Sequence, residues 1–245
     1  MKMLLILFAL FCNVVSSEAV ETTLPFSLKH YGSFKKMMHM KKVDGVVDLK
    51  TALNGKQIYG VGAIKNAEGE ITVHDGKAWL SYGKDGMDKV THEIPEGEQA
   101  MLLVTAQVEK WQDLFIPKDM AESELHVFML EQAKKSGIDT EKPFPFLIEG
   151  QLKNLTWHVI DGTTTGTGGG HNQAHGEHSF IRKLIEHNEK TSSIIIGFYS
   201  ADIHGVFTHP GESWHVHVIF KDEKKAGHVE NYGVLKNSTL KLPVR

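Results

Sequence analysis

The stretch Ser213-Trp214-His215-Val216-His217-Val218-Ile219-Phe220 constrains this chain more than any other. Its period of two is that of a β-strand, in which successive side chains point to opposite faces. His215 and His217 therefore share one face, while Trp214, Val216, Val218 and Phe220 pack the other. Residues 222–227 are charged and end in glycine, as a hairpin loop does, and His228 then begins a returning strand. A hairpin of that length brings His228 back beside His217. The sequence thus predicts three imidazoles converging from two antiparallel strands.

A His-x-His pair alone is weak, because an edge strand can carry histidine on its solvent face. The third histidine, at hairpin distance, brings metal binding level with that alternative. Neutral imidazole suits a borderline divalent ion, and three protein ligands leave positions open for water or substrate, as in catalytic sites. A sheet also holds such ligands more rigidly than a loop.

Sulfur takes no part. The one cysteine, Cys12, lies in a segment with the features of a secretory signal peptide: Lys2, an apolar run over residues 4–11, and small residues such as Ser17 and Ala19. Residues 1–19 are expected to be removed, leaving a secreted or periplasmic chain without disulfides or thiolate ligands. Any metal site must then use histidine and carboxylate. The apolar run is too short for a bilayer, which takes about 20 residues, so no membrane partner is expected after cleavage. A net charge of −3 gives no reason to expect nucleic acid. The basic Lys35-Lys36…Lys41-Lys42, broken by Met37, Met38, His39 and Met40, reads as a solvated segment.

The remaining chain divides into an arm with a short helix (20–45), a first β-rich half (46–142) and a second (143–245). Residues 58–64, 70–74 and 77–82 alternate with turn chemistry at Asn66-Ala67-Glu68-Gly69 and Asp75-Gly76, which reads as a β-meander, with 101–108 as a further strand. Residues 120–136 form the clearest helix: Leu125, Phe128, Met129 and Ala133 mark one face, Glu122 and Glu124 sit in the first turn, and Gly137 stops it. Beyond Pro143 and Pro145, strands are expected at 146–148, 155–160, 193–198, 214–220 and 228–234, with a second helix over 180–188. The expected class is α+β, two β-rich halves with mixed or antiparallel sheets. Residues 161–170 are a Thr/Gly loop followed by His171, His175 and His178, either a solvated loop or a second, adventitious metal site. His204, His209 and Asp202 precede the motif, either lining a pocket or serving as polar loop residues.

These motifs resemble those of the α-acetolactate decarboxylases. Trp214-His215-Val216-His217-Val218-Ile219-Phe220…Ala226-Gly227-His228-Val229 is similar to the family's G-x-H-x-H-F…G-H-V, with the same histidine spacing. Tyr59-Gly60-Val61-Gly62…Glu68-Gly69-Glu70-Ile71…Asp75-Gly76 is similar to its G-x-G-T-F…D-G-E-L…L-D-G. Phe146-Leu147-Ile148-Glu149-Gly150-Gln151-Leu152 resembles its F-x-A-I-x-I-D-G-x-F region, and Ile195-Ile196-Gly197-Phe198 its V-G-F.

The resemblance, from about Val46 to Pro243, implies a zinc ion held by His215, His217 and His228, with Glu70 matching a site glutamate. His158 falls where the family has an arginine. The family's C-terminal glutamate has no counterpart up to Arg245, and two more residues stand between Gly211 and His215 than in the family pattern. The implied reaction is decarboxylation of a 2-hydroxy-3-oxo acid such as 2-acetolactate to acetoin and CO2. The metal would chelate the hydroxyl and ketone oxygens and stabilise the enediolate that remains. Glu70, or alternatively Glu212, would be the general acid. His158, if protonated, would recognise the carboxylate less firmly than a bidentate arginine. Two other readings stay open: a divergent relative acting on another oxo or hydroxy acid, and a non-catalytic secreted module that binds metal or ligand. The expected partner is the small acid itself, and a homodimer stays open.

Overall fold

The computed structural model describes residues 24–40, 43–162, 181–201, 205–209, 211–221 and 224–244. The leader expected at 1–19, the histidines 171, 175 and 178, Asp202 and His204 lie outside the described residues.

The first sheet is built from β1 (Phe26–Tyr31), β2 (Val47–Asp48), β3 (Ile58–Ile64), β4 (Gly69–His74), β5 (Lys77–Tyr82) and β6 (Gln99–Val108), with α1 (Phe34–Met40) and α2 (Leu49–Ala52) between its early strands. Its order is β1-β6-β3-β4-β5, and β2 also pairs with β6. The expected meander is thus β3-β4-β5, and part of the expected arm is an edge strand, β1. Asp48 starts α2 by accepting a 2.8 Å bond from the Thr51 N–H, which satisfies a donor the helix itself leaves free.

The second sheet follows: β7 (Trp111–Phe115), α3 (Glu122–Lys135), β8 (Phe144–Asp161), β9 (Arg182–Tyr199), β10 (Trp214–Phe220), β11 (Lys225–Val234) and β12 (Thr239–Pro243). Its order is β11-β10-β9-β8-β12-β7, and β11 also pairs with β8. The strands β8, β9, β10 and β11 therefore close a circuit. All the pairings given for the described strands are antiparallel. The class is α+β with two β-rich halves. One strand of the second sheet, β7, comes from ahead of Pro143.

Two local expectations are corrected. Residues 182–188, read as helix, belong to β9, whose outer part pairs with β8 from Asp161↔Arg182 to Leu155↔Asn188. Ile181, Leu184 and Ile185 have helical spacing, but Ile185 is left exposed, and the ladder with β8 prevails over the local pattern. The strands expected at 146–148 and 155–160 are one strand, β8. The turn-like Glu149-Gly150-Gln151 stays in register with Ile194-Ser193-Ser192. Asn154 adopts a φ of 49° within it, a conformation asparagine tolerates better than most residues.

One core fills the space between the sheets. Val61, Val104 and Ala106 of the first meet Phe146, Trp157, Phe198 and Phe220 of the second, and Leu125, Met129 and Ala133 of α3 seal one side. Burying a side chain of this size contributes roughly 1.5–3 kcal/mol. The other face of the first sheet packs Ile71, Leu80 and Leu103 against Leu49 of α2. The two sheets are thereby held as one body, and the site forms where β4 crosses β10 and β11.

Candidate metal centre

The hairpin of β10 and β11 sets His217 directly opposite His228. His215 lies two residues before His217 on the same face, and all three are buried. Each offers a nitrogen, and these atoms lie within 4.8 Å of one another. Nitrogens that close together can serve one divalent ion as three imidazole ligands. Gly227 lets β11 approach β8 this closely. A Cβ there would stand 2.5 Å from the His158 carbonyl oxygen and 2.7 Å from the Trp157 ring.

The hydrogen bonds around the triad leave the inward nitrogens unused. His217 Nδ1 lies 2.9 Å from the Thr72 hydroxyl on β4, and its Nε2 is buried without a hydrogen-bond partner among the described residues. His215 bonds the Phe207 carbonyl, and its Nδ1 is likewise buried without a partner. A buried polar atom without a partner costs about 1–3 kcal/mol. Two such atoms on neighbouring rings are what a ligand set looks like when outer hydrogen bonds have fixed the tautomers. Burial pushes the His215 imidazole down to about 3 and those of His217 and His228 well below the usual histidine value. The rings are thus neutral, the form that donates a lone pair to a metal. The donor set and its geometry fit a divalent ion.

Glu70, two residues before Thr72 on β4, is buried beside the triad. Its Oε2 lies 3.8 Å from His217 Nε2 and its Oε1 3.6 Å from His158 Nε2. Burial pushes its carboxyl up to about 8, against the opposing pull of Lys183 and the Ile160 N–H. His158 sits across the β8–β11 ladder from His228, their ring centroids 4.7 Å apart. Its Nδ1 is 2.9 Å from Glu230 Oε1. Burial pushes the His158 imidazole down, opposed by Glu230. Glu230 in turn holds Lys183 at 2.5 Å. The His158 contact lowers the Glu230 carboxyl far below the usual range. The β8–β11 register shifts between Val229 and Asn231, and such an irregularity re-aims a side chain.

Around these groups lies a cavity of about 230 Å³, lined by Glu70, His158, Lys183, His209, His215 and His228 on its polar side and by Phe34, Met37, Met101, Leu102, Ile160 and Ile181 on its apolar side. His209 lines the pocket, its ring centroid 4.2 Å from that of Phe34 in a tilted pair and 5.3 Å from that of His228. The structure does not bring Glu212 to the triad. Glu212 is exposed and lies with Glu122, His126 and Glu230 around a separate depression. Lys183, Glu230 and Thr72 were not singled out in the sequence. Thr72 had a readable signal, since it shares a strand face with Glu70. The first two had none, because only the strand registers bring them in.

The family model described as alpha-acetolactate decarboxylase matches residues 28–244. Among solved structures, the chain is similar to the alpha-acetolactate decarboxylase of Bacillus subtilis strain 168, with 14% identity, 89% of this chain and 86% of that chain covered, and a TM-score of 0.64. The acetolactate decarboxylase of Bacillus subtilis subspecies spizizenii gives 16% identity, the same coverage and a TM-score of 0.65. A protein of unknown function similar to alpha-acetolactate decarboxylase, from Staphylococcus aureus, gives 15% identity, 88% and 84% coverage, and 0.61. No curated protein sequence matches this one.

Proposed function

The chain belongs to the α-acetolactate decarboxylase family, and from that premise we propose that it is a zinc-dependent enzyme converting 2-acetolactate to acetoin and CO2. The observation that carries this reading is the buried group of His215, His217 and His228, with ligand nitrogens within 4.8 Å of one another; His215 and His228 line a cavity together with Glu70.

His215, His217 and His228 would hold the zinc, with positions left for substrate oxygens. Bound there, the ion supplies Lewis acidity for the negative charge that develops on those oxygens as CO2 leaves. The C–C bond to the carboxylate breaks and its electron pair stays with the substrate. Glu70 then donates its carboxyl proton to the carbon that bore the carboxylate, forming acetoin, and regains a proton from solvent. Burial raises the Glu70 carboxyl, which favours the neutral form that a general acid needs. His158, 3.6 Å away, orients that carboxyl. Phe34, Met101 and Ile160 keep bulk water from competing as the proton source.

A second reading, a family member acting on a different 2-hydroxy or 2-oxo acid, is favoured by His158 standing where the resemblance places an arginine. One assay separates the two. Purified protein is given racemic acetolactate, and acetoin and CO2 are measured with and without a chelator. Chelator-sensitive acetoin supports the decarboxylase. Stoichiometric zinc with no acetoin refutes it.

A further inference from the structure

We propose that Lys183 is the group that recognises the substrate's carboxylate. This rests on reading the cavity as a site for a small hydroxy or oxo acid. Such a substrate carries a permanent negative charge, so the cavity needs a fixed cation at a distance from the metal. Lys183 is the one lysine or arginine among the described residues that line it.

The fold places it for that task. Lys183 lies opposite Ile160 on the β8–β9 ladder and lines the same cavity as His215 and His228 of the triad. Its side chain is 36% exposed, so its ammonium meets an incoming acid at the entrance. Glu230 Oε1 takes one donor at 2.5 Å, which, among the described residues, leaves two N–H groups of the ammonium for a ligand. Glu230 also touches His158, so the lysine is tied to the wall of the site. The positive charge acts on Glu70 and on His209, which places it within electrostatic reach of both. An ammonium is a point charge rather than a fork, suited to selecting an acid over a neutral analogue without dictating one rotation of the carboxylate.

The test is calorimetric titration of the zinc-loaded protein with two matched, unreactive probes, 2-hydroxy-2-methylpropanoate and its uncharged amide. The wild type should prefer the acid. Lys183→Met should weaken acid binding by roughly 10–100-fold, the equivalent of one charge-assisted hydrogen bond, and leave amide binding unchanged. Lys183→Arg should retain most of the acid affinity. Zinc content and melting temperature of each variant establish that it is folded and loaded. The proposal is overturned if Lys183→Met binds the acid like the wild type, if it loses acid and amide equally, or if the wild type binds neither. Parallel acetoin assays keep the two readings apart. A wild type that makes no acetoin yet shows Lys183-dependent preference for the acid refutes the decarboxylase and upholds the lysine. Acetoin formation with an unchanged KM in Lys183→Met does the reverse.

Discussion

Thr72 and His217, on strands of different sheets, meet with the threonine hydroxyl 2.9 Å from His217 Nδ1. This contact occupies Nδ1 and leaves Nε2 as the nitrogen His217 can offer to a metal, and it couples the first sheet to the histidine triad of the second. Ser81 Oγ, donating to the Ala226 carbonyl at 2.7 Å, makes a parallel tie one strand further on.

Thr72→Val keeps the shape of the side chain and removes the hydroxyl. Loss of such an outer partner typically weakens metal binding about 10–100-fold. Competition with a chromogenic chelator should show that drop in the variant, whose metal-free state should stay folded but melt lower, because the buried His217 Nδ1 loses its partner at a cost of about 1–3 kcal/mol. Equal affinity in the two proteins would mean that the hydroxyl does not orient the ring.

The triad was legible because its information is local: a period of two, a charged turn ending in glycine, and a histidine at hairpin distance. The meander and α3 were legible for the same reason. What stayed hidden depends on long-range register. Lys183 reaches the cavity only because residues 182–188 extend as strand against β8. Glu230 meets His158 only at an irregularity in the β8–β11 ladder. Glu212 looked useful from its place ahead of His215, but it faces a different depression. Its sequence neighbour Trp214 packs instead against Phe146 and His126.

Glu70→Gln removes the proposed proton donor while keeping the side chain's volume. The variant should retain stoichiometric zinc and lose activity by at least about 100-fold, the usual scale of general acid catalysis. Metal analysis and acetoin formation on the same preparation decide it. Retained zinc with near-normal kcat would remove Glu70 from the chemistry.

Acid stability should report on His126, which stacks on Trp214 at 4.2 Å with its Nε2 buried and unpartnered. Burial pushes its imidazole from 6.5 down to about 4. Between these values the unfolded chain binds a proton that the folded chain refuses. The stability is therefore fully present above about pH 6.5 and is lost as the pH falls toward 4. The loss is at most about 3.5 kcal/mol, at about 1.4 kcal/mol per pH unit. His126→Phe keeps a ring against Trp214 and removes the titration. Its melting temperature should fall less than the wild type's between pH 8 and pH 5. The triad histidines and the nearby Glu122 and Glu212 are common to both proteins, so the difference isolates His126. An identical fall would show that His126 does not set the acid limit.

The most direct measurement is zinc stoichiometry by elemental analysis after loading and exhaustive desalting, in the wild type and in His217→Ala. One zinc per chain in the wild type and none in the folded variant is the expected result. A wild type that retains no zinc, or a His217→Ala protein that retains one per chain, would contradict a centre built from His215, His217 and His228.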